Sequence, residues 1–171
     1  AGVLALHDQH LVRVPTEDPA TGRLMFNPSR EEVRRFFCEA WRKRSAGEIV
    51  TPLEATALKW IDLHAEYHAL LDDPEAAIGA DFSIDRGQSN PFLHLSMHLA
   101  IEEQLSIDQP PGIRAAFQAL AVRTGSEHDA MHETMECLGR VLWEAQRGAM
   151  PADAQEINDA YLACLRRRAS S

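Results

Sequence analysis

The stretch Asn90–Leu105, NPFLHLSMHLAIEEQL, predicts one helix with imidazoles and a carboxylate on an apolar face. His94, His98 and Glu102 follow one another at intervals of four residues. Four residues make slightly more than one helical turn, so the three side chains form a slanted row along one side of the helix. Leucines and an isoleucine flank the row. Polar groups on such a face need partners, and the rest of the chain indicates which.

A second row repeats this spacing further along the chain. His128, His132 and Glu136 lie in the segment SEHDAMHETMECLGRVLW, which also has helical periodicity. A third pair with the same spacing, His64 and His68, extends an earlier apolar stripe. Six of the eight histidines therefore form pairs four residues apart, more than random placement would produce.

The composition limits the class of protein. The chain has 171 residues, 45% of them hydrophobic and 25% charged, which suits a globular protein with a substantial core. The sequence contains no uncharged apolar run of the ~18 residues that a membrane span needs, so we expect no membrane association. The net charge of −9 argues against nucleic acid as a partner. The three cysteines form no C-x-x-C pair, so we expect free, buried thiols and a cytoplasmic location.

Helical periodicity alternates with turn residues along most of the chain, without the two-residue alternation of strands. We therefore predict an all-α fold, a helical bundle of five to six helices with mainly antiparallel neighbours. Capping boxes are expected at Ser29/Glu32 and Thr51/Glu54. The predicted helices are Asn27–Ala46, Thr51–Asp72 (with a break between Leu63 and Ala65 as an alternative), Asn90–Leu105, Gly112–Thr124, Glu127–Arg147 and Pro151–Arg168, with one further turn at Glu75–Ile78.

Residues 1–24 differ from the rest of the chain. They contain a short apolar start, followed by prolines and histidines without a sustained period. A natural start is expected at Met25. We therefore predict that residues 1–24 are a peripheral N-terminal extension and that residues 25–171 form a single helical-bundle domain.

Glu136 is the residue that most strongly indicates a metal-binding role for the two rows. We expect it on the inner face of its helix with His132, where an ionised carboxylate costs several kcal/mol unless it is paired or coordinated. The nearest basic residue, Arg140, is expected toward the outer face, so a bound cation would be the partner of Glu136. Glu102 poses the same problem beside His98, and neutral imidazoles four residues apart suit the same ion. We expect the two rows to face each other inside the bundle.

The donor set indicates a divalent transition metal, with one or two ions bound. Imidazole and carboxylate ligands together suit Zn, Fe, Mn or Ni, with Zn or Fe preferred. Ca and Mg prefer oxygen ligands, and Cu(I) prefers sulfur ligands. With fewer protein ligands, Glu102 or Glu136 would instead act as the catalytic base. The predicted metal ligands are His94, His98, Glu102, His128, His132 and Glu136, with His64 and His68 as additional candidates.

Other interpretations stay open at this point. Histidines on an apolar face are often hydrogen-bonded core residues, and a carboxylate can be the hydrogen-bond partner of a histidine rather than a ligand. The sequence has no His-Glu-x-x-His, no Glu-x-x-His, no glycine-rich phosphate loop and no Gly-x-Ser-x-Gly elbow. Zincin proteases, ferritin-like di-iron proteins, P-loop proteins and α/β-hydrolases are therefore disfavoured.

The chain resembles a bacterial family of unknown function, domain of unknown function 1841, in three segments: MFNPSREEVRRFFCEAW, NPFLHLSMHLAIEEQLSIDQPPGIR and HDAMHETMECLGRVLWEAQR. The resemblance covers nearly all of Met25–Arg147 and implies a small bacterial cytoplasmic protein, without an activity. The histidine pairs also resemble those of hemerythrin-like bundles, which bind two irons through His-x3-His and His-x3-Glu pairs. They also resemble the histidine pairs of DinB-like bundles, which hold one divalent metal with three histidines. Some DinB-like proteins are thiol transferases. This chain departs from both groups because its two rows are nearly identical.

Three functions follow as hypotheses, and they leave open whether the chain is an enzyme. The first is a metal-dependent hydrolase or transferase that acts on a small-molecule substrate. The second is a hemerythrin-like di-iron protein for redox chemistry or for oxygen binding and sensing. The third is a non-catalytic structural or interaction protein whose histidines are hydrogen-bonded core residues.

Overall fold

The computed structural model contains eight α-helices in the residues that it describes, which are 29–82, 89–148 and 153–171. The backbone of two short strands, β1 (Thr16–Glu17) and β2 (Leu24–Met25), is also described, and the strands pair antiparallel. The all-α prediction is confirmed. The helices are α1 (Arg30–Ser45), α2 (Pro52–Asp62), α3 (His68–Leu71), α4 (Pro74–Gly79), α5 (Pro91–Ile107), α6 (Ile113–Thr124), α7 (Glu127–Gln146) and α8 (Ala154–Ala169).

Residue contacts divide the chain into two compact units. The N-terminal unit runs to Leu99 and the C-terminal unit starts at Ala100, so the division falls within α5. The predictions for residues 1–24 lie outside the described residues, apart from the backbone of β1 and of Leu24. The single helical-bundle domain over residues 25–171 stays a prediction. Among the described helices, none is both long enough and apolar enough to cross a bilayer.

The described chain has more helices than the five to six predicted, because the predicted helix Thr51–Asp72 is interrupted. Helix α2 ends at Asp62, and a 3₁₀ turn at Ala65–Tyr67 precedes α3. The break is the predicted alternative near Leu63. Helix α4 extends the single turn expected after Pro74, with Asp73 accepting a hydrogen bond from the backbone N–H of Ala76.

Both predicted capping boxes are present in the N-terminal unit. The Ser29 hydroxyl accepts from the Glu32 backbone N–H, while the Glu32 carboxylate accepts from the Ser29 N–H at 2.6 Å. Thr51 and Glu54 make the same reciprocal pair at the start of α2. These bonds satisfy backbone donors that the first turn of a helix leaves without partners, and so fix where α1 and α2 begin.

A buried arginine joins α1 to α4. Arg34 is 1% exposed, and its Nη1 atom donates to the carbonyls of Ala77, Ile78 and Ala80 at 2.8–2.9 Å. The last carbonyls of a helix lack intrahelical donors and carry its negative dipole end, so a guanidinium is a fitting partner there. The Arg34 guanidinium also lies over the ring of Phe92. Its burial is thus matched by polar contacts at the end of α4.

A second polar contact joins α1 to α2. Lys43 donates to the Glu54 carboxylate at 2.7 Å, and the Glu54 side chain is only 8% exposed. The Lys43 ammonium, together with the backbone N–H of Thr51, holds the pKa of Glu54 below its usual value. The same carboxylate therefore caps α2 and anchors it to α1.

Helices α6, α7 and α8 pack against one another in the C-terminal unit. Their core contains Ile113, Leu120, Met131 and Leu165, all fully buried. Tyr161 of α8 is also buried, and its hydroxyl donates to the side-chain carbonyl of Gln104. Burial raises the pKa of that phenol, so it stays neutral at any physiological pH.

A disulfide between Cys137 and Cys164 links α7 to α8, with their Cα atoms 5.8 Å apart. The prediction of free thiols is therefore wrong for these two residues, although both are buried as expected. Cys38 is a free, buried thiol, as predicted. The pairing escapes sequence reasoning because each cysteine follows the apolar period of its own helix, and only packing brings the two together.

We expect replacement of Glu54 by Gln to lower the free energy of unfolding at pH 7 by about 1.5–3 kcal/mol, the usual range for hydrogen bonds to charged groups. Because the pKa of Glu54 is lowered in the folded state, its contribution is present above the unfolded pKa of about 4.3 and is lost as the pH falls through the folded value. Urea unfolding at several pH values should show the two proteins converging in acid. A constant difference from pH 7 to pH 3 would contradict this.

We expect the double substitution Cys137→Ser/Cys164→Ser to lower the free energy of unfolding by about 2–4 kcal/mol, because the disulfide restricts the unfolded chain. A thiol reductant should lower the melting temperature of the wild-type protein to near that of the variant. The variant is its own control, since reductant should not change its melting temperature. Equal sensitivity of both proteins to reductant would contradict a stabilising disulfide.

Candidate metal centre

The end of α2 positions two histidines that the sequence placed on one helical face. Helix α2 stops at Asp62, and His64 leaves the helical backbone with φ −125° and ψ 64°. The His64 Nδ1 atom donates to the carbonyl of Trp60 at 2.7 Å. The His68 Nε2 atom donates to the carbonyl of Ile61 at 2.9 Å. Both imidazoles thus give a second hydrogen bond to carbonyls at the end of α2, which already accept the backbone N–H groups of Leu63 and His64.

Three imidazole nitrogens converge in the N-terminal unit. The Nε2 atoms of His64 and His94 lie 2.8 Å apart, and those of His94 and His98 lie 3.2 Å apart. His64 and His98 are buried, whereas His94 is half-buried. We call His64, His94 and His98 the N-terminal histidine cluster.

The protonation of these three rings determines which nitrogens can donate a hydrogen bond and which offer a lone pair. A neutral imidazole has one N–H and one lone pair, on different nitrogens. Because His64 uses its Nδ1–H on the Trp60 carbonyl, its Nε2 presents a lone pair to the other rings. The His94 Nε2 has either one proton or one lone pair, so it cannot form a full hydrogen bond with both His64 and His98. A cation that accepts lone pairs could bind all three nitrogens at once.

Aromatic rings surround the N-terminal histidine cluster. The indole of Trp60 stacks on the His98 ring, with centroids 4.0 Å apart and planes 13° apart. Tyr67 lies parallel to His64 at a centroid distance of 5.4 Å. Burial and the neighbouring Glu66 carboxylate raise the pKa of the Tyr67 phenol. Nothing in the sequence pattern marks either aromatic residue, although Trp60 lies one turn before His64.

His68 belongs to a different environment from its sequence partner His64. Its ring stacks on Trp41 at 4.3 Å, and the Trp41 indole N–H donates to Asp72. Its Nε2 is occupied by the Ile61 carbonyl. Of the two additional candidates, the structure therefore brings only His64 to the N-terminal histidine cluster.

The C-terminal unit contains the second predicted pair on the first turns of α7. Ser126 caps this helix by accepting from the Asp129 backbone N–H. His128 and His132 are half-buried, and their ring centroids lie 4.3 Å apart. Spacing of four residues thus brings the two imidazoles together along one edge of α7, with their planes 55° apart.

Glu136 lies on the exposed side of α7, which corrects its predicted place on the inner face. Its side chain is 66% exposed and pairs with Arg168 of α8 at 2.7 Å. Each step of four residues turns a side chain by about 40° around a helix. The row starts at the edge of the buried face at His128, and it reaches solvent two steps later at Glu136.

Each unit has its own histidine candidates. The N-terminal unit contains the N-terminal histidine cluster, in which the Nε2 atom of His94 lies close to those of His64 and His98. The C-terminal unit contains the pair His128 and His132. Glu102 is half-buried on α5. The donors that converge in the N-terminal histidine cluster are imidazoles, whereas the predicted set also contained carboxylates.

We expect replacement of Glu136 by Gln to change the free energy of unfolding by less than about 1 kcal/mol, since exposed ion pairs contribute about 0–1 kcal/mol. Urea unfolding measures the change. The matched control is Glu31→Gln, which removes the exposed pair between Glu31 and Arg35. A loss of several kcal/mol at Glu136 alone would contradict its place on the exposed side of α7.

A comparison with protein-family models gives a match over most of the chain. A family model described as "Domain of unknown function (DUF1841)" matches residues 29–167, which include all three histidine pairs. The search of curated proteins and the search of solved structures found no match. The family description names no activity, so the chemistry must be argued from the site. The chain belongs to the family of domain of unknown function 1841.

Proposed function

We propose that this protein binds a divalent transition-metal ion through histidine nitrogens. The proposed ligands are His64, His94 and His98. The observation that carries the proposal is the convergence of their Nε2 atoms in the N-terminal histidine cluster. Three histidines are enough to hold one ion and leave a coordination position open, as in catalytic zinc sites.

The distances support this proposal. Ligand nitrogens in a tetrahedral zinc site lie about 3.3–3.4 Å apart, given Zn–N bonds of about 2.0–2.1 Å. The Nε2 atoms of His94 and His98, 3.2 Å apart, already have nearly that separation. The Nε2 atoms of His64 and His94, 2.8 Å apart, are closer than that, so binding would move these two rings slightly apart.

Imidazole ligands favour some divalent metals over others. Neutral nitrogen ligands suit Zn, Ni and Cu(II), whereas Ca and Mg prefer oxygen. The case for Fe or Mn is weaker than the sequence indicated, because the Glu136 carboxylate pairs with Arg168 at the surface. We therefore favour zinc or nickel as the resident ion.

For the chemistry at the ion, we propose hydrolysis or group transfer on a small-molecule substrate. A bound divalent ion lowers the pKa of a coordinated water and polarises an acceptor group. Glu102, half-buried and one turn beyond His98 on α5, is the carboxylate that we propose as the base. The hemerythrin-like alternative is less well supported, since it would need carboxylates at two irons and Glu136 is engaged elsewhere.

The third hypothesis, hydrogen-bonded core histidines, describes His68 well. That ring has a carbonyl partner and an aromatic neighbour, and needs no ion.

A cytoplasmic location stays a prediction. The Cys137–Cys164 disulfide weighs against it, because disulfides persist mainly in oxidising compartments.

We expect Zn²⁺ or Co²⁺ added to chelator-treated protein to bind with a stoichiometry of about one and to raise the melting temperature, because an ion that binds only the folded state stabilises it. Replacing His94 or His98 with Ala should abolish both effects. Calorimetric titration and thermal unfolding measure them.

The matched control for the histidine variants is His68→Ala, which removes an imidazole that is bonded to a carbonyl rather than offered to an ion. It should bind metal as the wild type does. Mg²⁺ serves as the control cation. Failure of the wild type to bind any of these transition metals, or equal loss in the His68 and His98 variants, would refute the proposal.

A further inference from the structure

Trp60 contacts two of the proposed ligands, His64 and His98, through different groups. The backbone carbonyl of Trp60 accepts the Nδ1–H of His64 at 2.7 Å. The indole ring of Trp60 stacks on His98 at a centroid distance of 4.0 Å. Trp60 is 1% exposed and His98 is 0% exposed, so solvent does not compete for either contact.

Each contact fixes a different property of a ligand. The carbonyl of Trp60 keeps the His64 proton on Nδ1, which leaves the Nε2 lone pair for an ion. The indole, nearly parallel to the His98 imidazole at 13°, restricts rotation of that ring about its side-chain bonds. One residue therefore sets the tautomer of His64 and the ring plane of His98.

The same unit contains a natural comparison. Trp41 stacks on His68 at 4.3 Å, in a similar way to Trp60 on His98. The His68 Nε2 donates to the Ile61 carbonyl, however, so this stacked pair presents its Nε2 to a backbone oxygen. Two tryptophan–histidine pairs thus differ in whether the histidine belongs to the proposed donor set.

We infer that Trp60 is the positioning residue of the proposed metal site and holds the His64 and His98 nitrogens ready for the ion. The inference rests on the proposed function. Partners that orient metal-ligating histidines typically change metal affinity 10–100-fold when they are removed. The indole of Trp60 acts through His98 and does not itself contact the ion.

The test compares Trp60→Leu, Trp60→Phe, Trp41→Leu and Trp41→Phe in a Co²⁺ titration followed by visible absorption. Trp60→Leu should weaken Co²⁺ binding about tenfold or more and alter the absorption bands, because the His98 ring loses its stacking partner. Trp60→Phe keeps an aromatic face and should recover affinity to within about threefold. Both Trp41 variants should bind Co²⁺ like the wild type and show its absorption bands.

A second measurement does not depend on the Leu variant folding. In a Trp41→Phe/Trp143→Phe background, Trp60 is the one tryptophan left in the chain. Its fluorescence should be strongly quenched by one equivalent of Cu²⁺, because the indole lies against a ligand ring. A background that retains only Trp41 should show little quenching at the same occupancy.

The outcomes separate this inference from the proposed function. If the wild type binds no Co²⁺, the proposed function fails. If the wild type binds Co²⁺ but the Trp60 and Trp41 variants lose affinity equally, the positioning role is refuted while metal binding stands. Unquenched Trp60 fluorescence at full Cu²⁺ occupancy would also refute it. Loss confined to Trp60→Leu, with recovery in Trp60→Phe, supports it.

Discussion

The hydrogen bond from the His64 ring to the Trp60 carbonyl depends on where α2 stops, and the N-terminal histidine cluster depends on that bond. Had the helix continued past Asp62, the Trp60 carbonyl would be engaged by the backbone N–H of His64. Because the helix stops, these carbonyls accept bonds from N–H groups only three residues ahead, Leu63 N–H to Trp60 and His64 N–H to Ile61, and the rings of His64 and His68 donate a second bond to each. The end of one helix thereby decides which imidazole nitrogen keeps a lone pair.

The same break gives two histidines of one sequence pattern different chemistry. His64 uses Nδ1 on the helix end and directs Nε2 to the other imidazoles, whereas His68 uses Nε2 on the helix end. The sequence shows only that they lie four residues apart. Which nitrogen remains for a ligand follows from the backbone conformation at His64, which leaves the helical region.

Rows with four-residue spacing also behave differently on α5 and α7. The row drifts by about 40° per step, so it stays buried only on a helix that is covered on nearly every side. Residues 91–101 of α5 include none that is exposed, and His98 remains inside despite the drift. Helix α7 has a broad polar side, and the same drift takes Glu136 to solvent.

Local signals in the sequence predicted much of the fold. The capping boxes at Ser29 and Thr51 and the helical periodicity correspond to elements of the structure. Contacts between residues far apart in sequence could not be predicted. Arg168 pairs with Glu136 across 32 positions, and Cys164 bonds to Cys137 across 27. The argument that Glu136 lacked a basic partner was wrong because it considered neighbours on one helix only.

The loss of Glu136 from the donor set changes the electrostatics of the proposed centre. Three neutral imidazoles would leave a divalent ion with its full positive charge, whereas carboxylate ligands would cancel part of it. A partly buried ion of that kind attracts anions more strongly than one with acidic ligands, because the surroundings screen it less than water does. Coordinated hydroxide or an anionic substrate group would therefore suit the centre. The Glu136 carboxylate, paired with Arg168 at the surface, takes no part in that balance.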